Sequence, residues 1–265
     1  MSEAARIPAN VARYQRGAAA EIGCSIDDFR TNGLTVVERP DDCLEPFLVK
    51  AVTFGTGTVI SVDASYVVFV RGVAIEPHYR ALYAQVWLQQ LVDEGRRRGD
   101  DIAWRGPGLG FVPGAAIEAM PVPAGFQLLR VGTDWREEHL HSLQFSNALA
   151  EPDDTIAAEL WQFALLLVDA AGAPAALAGA YVLNRGDPTR EGYDHLEIGV
   201  DVARAHRGEG LAPIVVTAMA AEAERMGLLA TYYCAPTNIR SQRTAWSCGF
   251  VPALSHSVAR IRISN

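Results

Sequence analysis

The chain has 265 residues, 49% of them hydrophobic and 20% charged, with a formal net charge of −8. That composition excludes a disordered or collagen-like chain and leaves room for one large domain or two modest ones. The acidic balance argues against nucleic acid or an anionic membrane as the main partner.

The opening segment, MSEAARIPANVARYQR, lacks a continuous apolar core, so no signal peptide is expected. Residues 1–32 read as a short helical lead-in. GLTVVERP reads as a strand that stops at Pro40, which suits a sheet edge. TGTVISVDASYVVFVRGVA predicts a strand, Asp63 as an N-cap, and an apolar helix. Residues 78–98 place apolar side chains at 82, 83, 86, 87, 88, 91 and 92, the spacing of an amphipathic helix. Arg96–Arg98 follow at its C-terminal end, where cations suit the helix dipole. Residues 104–125 hold five glycines and four prolines and read as a linker or crossing segment, with a domain boundary near 124.

Beyond the boundary the pattern tightens. FQLLRVG predicts a strand, and residues 133–149 a helix opened by a capping box of Thr133 with Glu137. Residues 161–184 read as two apolar strands around a turn at 169–174. A further strand follows at 194–202, a helix from Pro213 to just before Gly227, a strand LLATYYC, a helix IRSQRTAWSC and a last strand SVARIRI. No run approaches the roughly 20 apolar residues of a membrane helix. Cys24, Cys43, Cys234 and Cys248 show no zinc spacing, so reduced thiols in a cytoplasmic protein are expected, with Cys248 packed in the core. His139 and His141 stand two apart on a predicted helix and share no face, so no metal site is expected there.

Two stretches carry chemistry. In the strand at 194–202, Leu196, Ile198, Val200 and Val202 share one face, and Glu197, Gly199 and Asp201 the other. Glu197 beside a glycine is read as a carboxylate pointing into a cavity that a substrate approaches closely. RAHRGEGLAP then joins strand to helix. Unpaired N–H groups at the first helical turn converge on an anion, and Gly208 and Gly210 let phosphate oxygens reach the backbone. Arg204 and Arg207 offer charge-assisted contacts. The turn is not a Walker A loop, since no Lys-Ser/Thr follows. It is not a dinucleotide fingerprint either, since the third glycine position is Pro213.

Residues 196–227 resemble the acyl-CoA-binding motif of the GNAT superfamily of N-acetyltransferases, whose [QR]-x-x-G-x-[GA] core is met by Arg207, Gly208, Glu209, Gly210, Leu211 and Ala212. CAPTNIRSQRTAWSCGF resembles the family's second motif, N-x-x-[AS]-x(7)-G-F, in Asn238, Ser241, Gly249 and Phe250. The LEI start and GLA turn are most similar to the branch that includes zwittermicin-type acetyltransferases. The resemblance covers roughly 126–265 and implies an α/β (α+β) GNAT fold: a mixed, mostly antiparallel sheet flanked by helices. Residues 125–265 would be the acetyltransferase domain and 1–124 an additional α/β lobe, a diverged GNAT-like unit walling the acceptor site.

The resemblance further implies transfer of an acetyl group from acetyl-CoA, as co-substrate and without metal, to a primary amine. The alternative is a non-enzymatic acyl-CoA-binding or interaction module. The pyrophosphate would rest on the N–H groups of 208–212, and the pantetheine arm would run like an extra strand beside Val200 and Val202. Glu197 is the expected base, directly or through water; Asp194 is its rival and His195 a third candidate. The tyrosine that serves as acid in many relatives is replaced by Ala245, leaving Tyr232, Tyr233, Cys234 or water. Tyr232 and Tyr233 point to opposite faces, so at most one reaches the cleft. The implied partners are acetyl-CoA and an amine acceptor, with no nucleic acid and no membrane; an oligomer is compatible with the sequence.

Overall fold

The structure is a computed structural model. It describes residues 8–30, 33–43, 47–54, 56–73, 85–139, 145–149, 155–183 and 194–262. Helix α1 (Ala9–Glu21) leads through a short 3₁₀ turn to strand β1 (Leu34–Glu38), then β2 (Val49–Thr53) and β3 (Thr58–Val62). Asp63 caps the next turn by accepting the Ser65 N–H, as its position before an apolar run predicts. Helices α2 (Val67–Val73) and α3 (Gln85–Arg98) and the long strand β4 (Ile102–Pro113) complete the first half. The second half runs β5 (Gln127–Val131), α4 (Thr133–His139), α5 (Ser146–Leu149), α6 (Thr155–Leu160), β6 (Trp161–Val168), β7 (Pro174–Leu183) and β8 (His195–Val202). It ends with α7 (Leu211–Arg225), β9 (Leu229–Cys234), α8 (Ile239–Ser247) and β10 (Phe250–Ile261).

Among the described residues the ten strands form one sheet in the order β1-β3-β2-β10-β4-β9-β8-β7-β6-β5. β1 lies parallel to β3 and β8 to β9; the other neighbours are antiparallel. The halves interlock. β4 of the first half separates β9 from β10, and β10 of the second half separates β2 from β4.

One face of the sheet carries α2 and α3 over Ala51, Ile60 and Ala259, and α7 and α8 over Leu196, Ala230 and Phe111. The other carries α1 over Val52, Leu229 and Leu254, and α4–α6 over Leu177 and Tyr181. Cys248 packs in the α7–α8 core.

Three sequence expectations change. Residues 102–113 are an interior strand, not a linker. Their glycines let large neighbours cross: a Cβ at Gly108 would lie 2.9 Å from His256 Nε2, and one at Gly110 3.0 Å from Tyr233 Cε1. β2 was not anticipated, because a five-residue strand carrying Lys50 shows little alternation. The expected helix over 133–149 is two helices, α4 and α5, and Thr133 is the first helical residue of α4. Of the helix expected over 78–98, residues 78–84 lie outside the described residues, as does His141. No helix is long and apolar enough to cross a membrane among the described residues.

Candidate functional site

β8 and β9 pair only at His195↔Leu229, Leu196↔Ala230 and Glu197↔Thr231, then diverge. The gap opens into a cleft of about 1790 Å³ lined by both halves of the chain. A pocket for one small ligand spans ~300–1,000 Å³, so this one has room for a large cofactor together with a second molecule.

At one end stands the N-terminus of α7. Gly210 is its N-cap, with φ of 76°, and Gly208 has φ of 93°, both in the left-handed region that favours glycine. A Cβ on either glycine would meet nothing within 4 Å, so the space above them is open to a ligand. Gly208, Gly210, Leu211 and Ala212 line the cleft there, with Arg207, Arg240 and Arg243 around them. Arg207 Nε donates to the Val202 carbonyl at 3.3 Å. Glu209 turns aside to His206, 3.2 Å away. Arg204 sits in the 3₁₀ turn before the glycines and is exposed.

Val200 and Val202 line the cleft on the stretch of β8 that β9 no longer covers. Asn238 accepts the Ser241 N–H at 3.1 Å and caps α8. Ser241 Oγ lies 2.7 Å from the Tyr232 hydroxyl. Tyr232 is otherwise buried against Phe250, and burial pushes its hydroxyl up to about 12 despite the Ser241 bond, so it keeps its proton at neutral pH. Burial also raises the Cys234 thiol, which lines the cleft two residues on. Ala245 is fully buried in the core.

Glu197 lies on the opposite face from Tyr232, half-buried, paired with Tyr181 in register and exposed to the cleft. Gly199, two residues on, lines the cleft, but its missing side chain also serves a contact within the protein. It admits the protein's own α5: a Cβ there would lie 1.8 Å from the Asn147 carbonyl oxygen, and one at the paired Gly179 1.8 Å from that of Ala148. Asp201 fixes the same helix by accepting the N–H groups of Asn147 (2.8 Å) and Ala148 (3.0 Å) and the Asn147 amide (2.8 Å). Burial raises the Asp201 carboxyl against these bonds.

Asp194 precedes β8. Its carbonyl accepts from Leu229 N–H and from Arg13, and the residue is not among those lining the cleft. His195 does line it, edge-on to Tyr14.

The wall beyond Glu197 draws on both halves, and its individual residues were not singled out in the sequence. Lys50 of β2 bridges to Glu21 of α1 at 2.8 Å, both largely buried. On the adjacent strand β10, His256 stacks on Tyr233 with ring centres 5.0 Å apart. Burial alone would raise Glu21, but the Lys50 ammonium and its hydrogen bond hold it below the usual carboxylate range. Burial pushes His195 and His256 down to about 4, leaving both rings neutral at pH 7.

These groups set an acid-side stability loss. Unfolded histidine takes up a proton near pH 6.5, while the folded rings resist until about pH 4. Stability is therefore full above about pH 7 and falls as the pH drops toward 4, by up to about 2 kcal/mol per ring at pH 5. Glu21 adds to the loss below its unfolded value, because its folded pKa is depressed. Urea midpoints at pH 7.5 and 5.0 measure it, and His256→Phe, which keeps a stacking ring, should shrink the difference. A midpoint unchanged between the two pH values would contradict the assignment.

No group of three or more His, Cys, Asp and Glu side chains able to hold a metal occurs among the described residues. The family model described as an acetyltransferase (GNAT) domain matches residues 130–251. The chain is similar to a GCN5-related N-acetyltransferase-like protein from Streptococcus suis, at 16% identity over 68% of this chain and 69% of that one, with a TM-score of 0.45. A GCN5-related N-acetyltransferase from Sphaerobacter thermophilus matches at 15% identity over 78% and 74%, with a TM-score of 0.46. A tandem GNAT protein from the clavulanic acid biosynthesis pathway matches at 16% identity over 66% and 59%, with a TM-score of 0.44. No curated protein matches the chain.

Proposed function

We propose, from the match of residues 130–251 to the acetyltransferase (GNAT) family model, that the chain transfers an acetyl group from acetyl-CoA to a primary amine by direct attack on the thioester. The observation that carries this reading is the glycine-bearing N-terminus of α7, open to the cleft where β8 and β9 part. It offers backbone N–H groups and a helix dipole to the CoA pyrophosphate, with Arg207 supplying charge. The pantetheine arm extends along the uncovered edge of β8 at Val200 and Val202, with Asn238 and Ser241 on the far side. The thioester then reaches the divergence of β8 and β9, between Glu197 and Tyr232.

Glu197, directly or through water, takes the proton from the incoming amine. The amine nitrogen bonds to the acetyl carbonyl carbon, the carbon–sulfur bond breaks, and CoA leaves as a thiolate. Tyr232, held protonated and bonded to Ser241, is the donor we assign to that thiolate, since Ala245 has no proton to give. Asp194 is the base only if Glu197 proves dispensable. The GLA turn favours the zwittermicin-type branch, and 1–124 is the lobe that walls the acceptor site. The same cleft suits a cytoplasmic enzyme supplied with acetyl-CoA, needing neither nucleic acid nor membrane.

Calorimetry with acetyl-CoA tests the cofactor site. Gly210→Asp sets a carboxylate against the pyrophosphate and should weaken binding by roughly ten- to hundredfold; undiminished affinity would remove the phosphate assignment. Glu197→Gln should lower kcat by about a hundredfold or more at neutral pH, the usual worth of a general base, and leave acetyl-CoA affinity intact. Unchanged kcat would move the base to Asp194.

A further inference from the structure

The cleft that Glu197 lines also has a wall that carries positive charge. Lys50 and Arg105 flank Val258 in register on three adjacent strands, so the three share a face. His256 and Arg260 stand two residues to either side of Val258 on that same face. All five residues line the cleft, and so does Glu21. Glu21 is the carboxylate this wall offers among the described residues, and it is already committed to Lys50 at 2.8 Å. A Lys ammonium has three donors. One goes to Glu21, and the side chain, only 14% exposed, lines the cleft. A charge pair held this deep costs desolvation, which a role in ligand recognition explains better than stability does.

From this we infer that the acceptor is an amine bearing a second, anionic group, a carboxylate or phosphate, which docks on Lys50, Arg105 and Arg260 while its amine is presented to Glu197. The inference rests on the acetyl-transfer reading of the cleft and names its substrate class. Simple polyamines would place their remote charge against these cations and are disfavoured. Selection then draws on both halves, Lys50 and Arg105 from the first and Arg260 from the second, in keeping with the interlocked sheet.

Thiol release from acetyl-CoA, with binding to the CoA-loaded protein by thermal shift, tests it on matched probes. These are the common amino acids, β-alanine and 4-aminobutyrate, the corresponding amides and decarboxylated amines, O-phosphoethanolamine and spermidine. Acidic probes should be used with KM roughly ten- to hundredfold below that of their amides, the worth of a charged hydrogen bond. O-phosphoethanolamine against the amino acids separates phosphate from carboxylate. Arg105→Gln, at an exposed position, should raise KM for acidic probes about tenfold without changing acetyl-CoA affinity. Lys50→Met paired with Glu21→Gln should do so more strongly. Preference for amides or spermidine, or no charge-dependent binding or turnover at all, overturns the inference while acetyl-CoA still binds. Failure of acetyl-CoA itself to bind overturns the underlying reading instead.

Discussion

Gly199→Ala should lower stability by about 3 kcal/mol or more, beyond the usual range for an added core methyl. The new Cβ would sit 1.8 Å from the Asn147 carbonyl oxygen. That atom is backbone, so no rotamer change relieves the clash. Nor can the helix easily withdraw. Asp201 holds its N–H groups from one side, and the Tyr181 hydroxyl and Trp161 indole N–H donate to the Asn147 and Ala148 carbonyls at 2.9 and 2.8 Å. Displacing α5 breaks those bonds and leaves buried donors unpaired, each at a cost of about 1–3 kcal/mol. Gly179→Ala strikes the Ala148 carbonyl in the same way and should match it.

Gly210→Ala is the control. Its left-handed φ costs about 1 kcal/mol, but the space around it is open. Urea midpoints and Tm separate the three variants. A Tm loss of roughly 6–12 °C is expected for Gly199→Ala, and a loss no larger than that of Gly210→Ala would show that α5 does not clasp the strand. Ser146 and Asn147 also line the cleft beside Glu197, so residual activity in these variants should show a raised KM.

Gly199 also shows where a sequence stops being informative. Alternation along 194–202 correctly separates Leu196 and Ile198, both buried, from Glu197. The void beside Gly199 is equally legible, but its occupant is not, because α5 lies some fifty residues earlier and is only four residues long. The turn at 204–213 was readable because its chemistry is local: two glycines with positive φ and a helix start within a few residues. The proposed acceptor wall was not, because Glu21, Lys50, Arg105 and His256 come from four distant segments, joined by strand pairing and, for Glu21, by the ion pair from α1. Lys50 left one local trace, a lone cation in an otherwise apolar V-K-A-V. The glycine-rich β4 misled for a physical reason. Glycine is depleted in strands, yet here it clears space for His256 and Tyr233 to lie across the sheet.

The misread strand makes the boundary near residue 124 testable. Residues 125–265 expressed alone should fail to give a cooperatively folded, acetyl-CoA-binding protein, although they contain the whole stretch matched by the GNAT family model. β10 pairs along its length with β4 and over Ser255–Ala259 with β2, both supplied by the first half. β9 meets β4 at Tyr232, Tyr233 and Cys234. Removing 1–124 strips β10 of both neighbours and bares the β9 edge next to the cleft. Tyr233, Leu229 and Leu254 also lose their cover from α1. An unpaired apolar edge of this kind invites association with other chains, so the excised piece should aggregate or bind a hydrophobic dye without a sharp melting transition. Co-expression with residues 1–124 as a separate chain should restore a soluble complex, because no described element spans the cut between β4 and β5. A monomeric 125–265 fragment that melts cooperatively within a few degrees of the full chain would mean that β10 can close directly onto β9. The first half would then be an appended lobe and not a structural part of the sheet.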